Sequence, residues 1–168
     1  MIVEISKGEN SKEDMLGYVL TLLPNDTDKK LVQAICKKFE DAGYYIKIKF
    51  NGVDAKLHFR QSKSKKDLLA LDIERDFTYK ILLRLQNISE YTDKLKSLST
   101  NILRQTLSGR ECCDCGYCEN SVRFSFDGTD YRKCAVICCG FVYVKLQEED
   151  ITSLLQLIDW ELNIKRGA

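Results

Sequence analysis

Apolar residues recur along this chain first at helical spacing, then at alternate positions, and at the end at helical spacing again. Met15, Leu16, Val19, Leu20 and Leu23 form one stripe, the three-to-four spacing of an amphipathic helix. Ser11 with Asp14 three residues on opens that helix as a capping box, and Pro24, the only proline, stops it. Leu31, Val32, Ile35 and Phe39 predict a second helix, capped by Asp26 or Thr27 and closed by Gly43 at its C′ position. Cys36 beside this stripe reads as a small buried hydrophobe.

Alternation then takes over. The segments 44–50 and 53–59 alternate around Asn51-Gly52, which predicts a β-hairpin with a type I′ turn. Such a turn pairs Phe50 with Val53, Ile48 with Ala55 and Ile46 with Leu57 on a dry face. Lys49 then faces Asp54, Lys47 faces Lys56, and Tyr45 faces His58 on a wet one. His58, the only histidine, is therefore expected at the surface beside Tyr45. The basic turn from Ser62 to Lys66 reads as a solvated loop.

Residues 68–73 and 77–85 predict two further strands, although Leu68, Leu69, Asp72 and Ile73 also suit a helix. Residues 89–107 predict a helix broken near Ser97-Leu98-Ser99-Thr100 and ending at Gly109. A second hairpin runs from Val122 to Phe126 and returns from Thr129 to Cys134 about Asp127-Gly128, followed by a strand over 141–146. Ile151, Leu154, Leu155, Ile158 and Leu162 form the core face of a last helix, with Trp160 off that face. Glu148, Glu149 and Asp150 occupy its first turn, where negative charge is favoured. No repeat, low-complexity tract or Pro/Gly-rich linker interrupts the series. The expected fold is a single α+β domain over 1–168, an antiparallel sheet packed with helices. Its parts are a helical region 1–43, sheet and helix over 44–110, and a cysteine-rich hairpin, strand and helix over 111–168.

Composition narrows the class. The chain has 168 residues, 44% hydrophobic and 30% charged, which suits a globular domain with a real core. Its 26 basic residues balance 25 acids for a net charge of +1, so no overall field draws in nucleic acid. No apolar run approaches a membrane span. Residues 1–7 lack the basic-then-apolar pattern of a secretory signal, so a cytoplasmic location, where thiols stay reduced, is expected.

Seven of the eight cysteines fall between Cys112 and Cys139. Cys115-x2-Cys118 and Cys134-x3-Cys138 lie close to the spacing of zinc sites, since zinc takes four thiolates tetrahedrally. A closed four-sulfur shell leaves no position for water, so the expected zinc is structural rather than catalytic. Cys112, Cys113 and Cys139 are substitute ligands, because either member of each doublet could serve. Arg132 and Lys133 stand where they could offset the thiolate charge. Cys112-x2-Cys115-x2-Cys118 also matches the start of an iron–sulfur ligand run, but the expected cysteine–proline is missing. A cluster is the alternative cofactor, and disulfides are disfavoured by compartment.

The Asp127-Gly128 turn explains why the two bunches would meet. It pairs Phe126 with Thr129, Phe124 with Tyr131, Val122 with Lys133 and Ser121 with Cys134. Extending the ladder puts Cys118 near Ile137, between Cys134 and Cys138.

The pattern Cys118-x5-Phe-x-Phe-x-Gly-x2-Tyr-x-Lys-Cys134-x3-Cys138, followed by a strand and an acid-capped helix, resembles a family of small cysteine-rich proteins common in anaerobic Firmicutes. The resemblance covers about residues 30–165, and it implies that Cys118, Gly128, Tyr131, Cys134 and Cys138 are family positions. The family's upstream cysteines are spaced differently, so Cys112, Cys113 and Cys115 do not carry over. It has no assigned activity, and the resemblance implies a layout rather than a reaction.

The first functional expectation is a non-enzymatic zinc-stabilised domain that binds a protein or small-molecule partner, of open oligomeric state. The second is a redox-responsive protein using a cluster or the thiol pairs Cys112-Cys113 and Cys138-Cys139. The third is a nucleic-acid module with Phe124, Phe126 and Tyr131 near Arg123, Arg132 and Lys133, against which alternation aims both phenylalanines at the core. An enzyme is least supported. The chain has no Gly-rich phosphate loop and no Gly-x-Ser-x-Gly turn, and a lone histidine leaves no Cys–His pair.

Overall fold

A computed structural model describes residues 2–3 (backbone), 11–61, 67–74, 76, 78–112, 121–134 and 140–164. The chain divides into two compact units, Met1–Ile81 and Leu82–Ala168. Helices and antiparallel strands both occur, which is the α+β class.

The first unit begins with strand β1 (Ile2–Val3) and helix α1 (Lys12–Thr21). The capping box is present: Asp14 N–H donates to Ser11 Oγ at 3.2 Å and Ser11 N–H to Asp14 Oδ2 at 3.1 Å. Helix α2 (Asp26–Asp41) is capped one residue earlier than expected, because Asn25 Oδ1 accepts from Asp28 N–H at 2.9 Å. It buries Leu31, Val32, Ile35 and Phe39, and Phe39 packs on Tyr44 and Phe59 at 5.2 and 4.8 Å. Gly43 follows at φ 79°, the left-handed cap expected there. Cys36 is buried, and burial, followed by the charge of Glu40, pushes its thiol up to about 12. It is an inert core residue.

Strands β2 (Tyr44–Asn51) and β3 (Asp54–Gln61) form the first hairpin, but with a different turn. Gly52 has positive φ, whereas Asn51 and Val53 do not. A type I′ turn centred on Asn51-Gly52 is therefore replaced by a turn centred on Gly52-Val53 with the φ pattern of type II′. Asn51 pairs with Asp54, Phe50 with Ala55, Ile48 with Leu57 and Ile46 with Phe59. The slip is two residues, an even number, so the same side chains share each face as expected while each partner changes. Strand β4 (Asp67–Ile73) follows antiparallel on β3, with a bulge at Phe59/Arg60, then β5 (Tyr79–Leu83). The order is β1-β2-β3-β4-β5. Tyr79 donates to Asp28 Oδ1 of α2 at 2.6 Å, and burial followed by that carboxylate raises its phenol well above the usual range.

In the second unit a 3-10 helix (Ile88–Ser97), kinked at Tyr91, precedes helix α3 (Thr100–Leu107), with the break where the sequence placed it. Strands β6 (Ser121–Phe126) and β7 (Thr129–Cys134) form the second hairpin in the expected register. Here Asp127 and Gly128 both have positive φ, 47° and 76°, as type I′ requires. Strand β8 (Phe141–Tyr143) is shorter than expected. The Gln105 side-chain amide accepts from Val144 N–H at 2.8 Å and donates to Val144 O at 3.2 Å, taking the place of a further strand partner.

Helix α4 (Glu148–Ile164) buries Asp150, Ser153, Leu154, Leu157, Ile158, Glu161 and Leu162, while Ile151 and Leu155 are only half-buried. The buried face is thus rotated from the expected one. Glu161 accepts from Gln86 N–H, Asn87 N–H, Asn87 Nδ2 and the Tyr91 hydroxyl at 2.9–3.2 Å. Asp150 accepts from Ser99 Oγ, Asn101 Nδ2 and Gln147 N–H. Both acids are drawn inward by donors that start the 3-10 helix and α3.

Candidate metal centre

The second hairpin gains a third member that the sequence did not announce. Glu111 bridges antiparallel to Lys133. Cys112 N–H donates to Arg132 O at 3.0 Å, and Cys134 N–H donates to Arg110 O at 2.9 Å. The segment Arg110–Cys112 therefore lies along the edge of β7 opposite β6. Three residues with no alternation of their own carry too little signal to be read as a strand.

Arg110 also closes the second cysteine segment. Its N–H donates to Gly140 O at 3.4 Å, while its carbonyl holds Cys134 N–H. Residues 135–139 thus begin and end at groups bonded to one residue. The other segment, 113–120, begins after Cys112 on one edge of β7 and ends before Ser121, which pairs with Cys134 on the other edge. All four chain ends of the cysteine-bearing segments are gathered around Cys134.

The pleat sorts the side chains. Cys134, Arg132, Ser121, Arg123, Arg110 and Cys112 share one face by register. Cys134 is buried and Cys112 half-buried. The opposite face carries Val122, Phe124, Phe126, Tyr131 and Lys133. Lys133, expected beside the thiolates, is only 3% exposed, ion-pairs with Glu111 and lies 5.1 Å from the Tyr131 ring. It is on the wrong face to balance Cys134. Phe124 stacks on Tyr131 at 5.1 Å, and Phe124 and Phe126 are buried. A base-stacking role for the two phenylalanines loses its surface.

Of the sequence-predicted ligands, Cys134 and the substitute Cys112 are described. Cys115, Cys118 and Cys138, with substitutes Cys113 and Cys139, lie outside the described residues. So does the expected approach of Cys118 to Ile137. Among the described residues no group of three or more His, Cys, Asp or Glu is arranged to hold a metal ion.

His58 departs most from expectation. It is buried opposite Lys47 rather than exposed beside Tyr45, and its Nδ1 lies 2.7 Å from Asp67 Oδ2. Arg60 binds the same carboxylate. Burial raises the Asp67 carboxyl, but hydrogen bonds from Arg60 and His58 outweigh it and hold the group below the usual range. The bulge at Phe59/Arg60, invisible in the alternation, is what brings Arg60 opposite Asp67.

Among the described residues no helix is long and apolar enough to cross a membrane. No family model, curated protein or solved structure matches the chain.

Proposed function

We propose that the second unit carries a structural zinc site held by Cys115, Cys118, Cys134 and Cys138, with Cys112, Cys113 and Cys139 able to substitute. On this reading the protein is a non-enzymatic, cytoplasmic α+β module that binds a protein or small-molecule partner. The observation that supports it is the gathering of four chain ends around Cys134. Cys115 is three residues from Cys112 and Cys118 three from Ser121, a reach of at most roughly 10 Å each. Cys138 is two residues from Gly140, whose carbonyl is bonded to Arg110. The donor set fits: thiolates match a borderline-soft ion that needs no redox partner, and four close its shell. The likeness to the cysteine-rich Firmicutes family belongs to the same proposal, through Cys118, Cys134 and Cys138.

Elemental analysis of protein purified without oxygen tests it. About one zinc per chain is expected, lost in the double variant Cys118→Ser/Cys134→Ser, with a chelator lowering the unfolding midpoint of the wild type. Iron with visible absorbance would replace zinc by a cluster. Metal-free protein of unchanged stability would overturn the proposal.

A further inference from the structure

The turn of the first hairpin places a carboxamide next to an unhindered backbone nitrogen. Asn51 closes β2 and Gly52 opens the turn, both exposed, with Gly52 at φ 65°. Among the described residues no hydrogen bond holds the Asn51 side chain. The other described asparagines differ. Asn25 Nδ2 donates to Asp28 at 2.8 Å, Asn87 Nδ2 to Glu161 at 2.9 Å and Asn101 Nδ2 to Asp150 at 2.6 Å. Asn163 sits within α4 ahead of the branched Ile164. Only Asn51 is followed by glycine, which puts no side chain beside its amide nitrogen.

We infer that Asn51 is a site of spontaneous deamidation in the folded protein, and that the change loosens the first hairpin. The Gly52 nitrogen gives its proton to water and attacks Asn51 Cγ. An N–Cγ bond forms, the Cγ–Nδ2 bond breaks, and Nδ2 takes up a proton and leaves as ammonia. Water then opens the cyclic imide, at Cγ to give aspartate or at the backbone carbonyl of position 51 to give isoaspartate. The sum is water consumed and ammonia released.

In extended backbone the Gly52 nitrogen points away from Asn51 Cγ, so ring closure needs the peptide between them to turn. That movement disturbs the Asn51–Asp54 pair, the last before the turn, and the short β1 beside it. Losing the hydrogen bonds of one pair slows the reaction about tenfold to a hundredfold against the denatured chain. Opening the whole fold would slow it by more than about a thousandfold.

Both products strain the hairpin. Aspartate at position 51 stands directly opposite Asp54, a like-charge pair. Asp54 Oδ1 is already buried without a hydrogen-bond donor among the described residues. Isoaspartate sends the main chain through Cβ and Cγ, adding an atom at the final pair of β2 and β3. The turn at Asp127-Gly128 escapes this route, because its carboxylate has no ammonia to expel and pairs with Lys96 at 2.6 Å.

The test holds the full chain in mildly alkaline buffer made with heavy-oxygen water, folded and in concentrated urea, and maps its peptides by mass. In the folded chain the peptide holding Asn51 should take up heavy oxygen at a rate within about a hundredfold of that in urea. It should appear as a mixture of aspartyl and isoaspartyl forms, while peptides holding Asn25, Asn87, Asn101 and Asn163 stay unlabelled. Aged protein should unfold at a lower urea midpoint than fresh protein. Asn51→Asp should reproduce part of that drop, and Asn51→Ser should abolish both the labelling and the drop. A slower folded rate, or labelling in urea alone, would overturn the site. Equal labelling of the other asparagines would overturn its selectivity, and fully modified protein with the fresh midpoint would overturn the loosening.

Discussion

The two units are held by different means. In the first, most polar contacts join neighbours in sequence or on adjacent strands, as Ser11 with Asp14, Lys56 with Asp72, and Arg60 and His58 with Asp67, and the long-range exceptions are single bonds, Lys12 with Glu40 and Tyr79 with Asp28. In the second, two buried carboxylates of α4 reach far along the chain. Glu161 binds groups 70 to 75 residues away, and Asp150 reaches Ser99 and Asn101, 51 and 49 residues away. The difference follows from regularity. Long strands and a four-turn helix satisfy their own backbone, whereas a kinked 3-10 helix and a three-residue strand leave N–H and C=O groups that side chains must serve. Regular periodicity makes a unit stable through apolar burial; irregular backbone makes it depend on a few polar pins.

The largest expected break in this contrast is Glu161→Ala, which strands two backbone N–H groups, the Asn87 amide and the Tyr91 hydroxyl. Burial followed by the charge of Glu161 raises the Tyr91 phenol well above its ordinary value, so that hydroxyl stays a donor. A loss of about 3–5 kcal/mol is expected in urea unfolding, with hydrogen exchange rising in residues 86–102 and little changed in 44–61. A loss below about 1 kcal/mol would return the weight to apolar packing.

Asp150 should give a smaller, pH-dependent effect. Burial raises its carboxyl, but hydrogen bonds from Gln147 N–H, Ser99 and Asn101 prevail and hold it below the usual range. A carboxyl depressed in the folded state contributes stability above its unfolded value near about 3.9, and that contribution fades as pH falls through the folded value. Wild-type stability should therefore drop below about pH 4. Asp150→Asn should be about 1–2 kcal/mol less stable at neutral pH and show a shallower acid loss. An unchanged acid slope would remove the carboxylate from the account.

The smallest expected effect lies in the first unit. Ser11→Ala breaks the capping box and should cost about 1 kcal/mol, read as a lower unfolding midpoint of that unit. A cost matching that of Glu161→Ala would erase the contrast.

Legibility followed the same division. Alternation put Ile46, Ile48 and Phe50 on the right face, yet the turn was misplaced because Asn51-Gly52 and Gly52-Val53 both offer a glycine for positive φ. Asp127-Gly128 has the same rival in Gly128-Thr129, but Asp127 takes the positive φ that Asn51 does not, so its register was counted correctly. Strand β4 reads as helix or strand because residues 67–71 are buried on both faces, which removes the alternation. His58 was assigned to the surface because a wet face in one strand pair says nothing of what a bulge brings alongside. The signal for Asp150 and Glu161 was present: with Leu154 and Leu157 they fall at i, i+4, i+7 and i+11 on one helical stripe. The expected core face, Ile151, Leu154, Leu155, Ile158 and Leu162, included neither acid.

By itself the sequence determined the order and kind of nearly every element, the faces of both hairpins and the clustering of thiols, because these depend on periodicity and on turn chemistry within a few residues. Only the tertiary structure decided that Arg110 clasps both sides of the second cysteine segment, that Lys133 turns away from Cys134, and that two acids point into the core. Each of those outcomes depends on which unpaired donor or charge happens to lie across a distant stretch of backbone. A buried polar group goes where its partner is, and local spacing does not record where that partner will be.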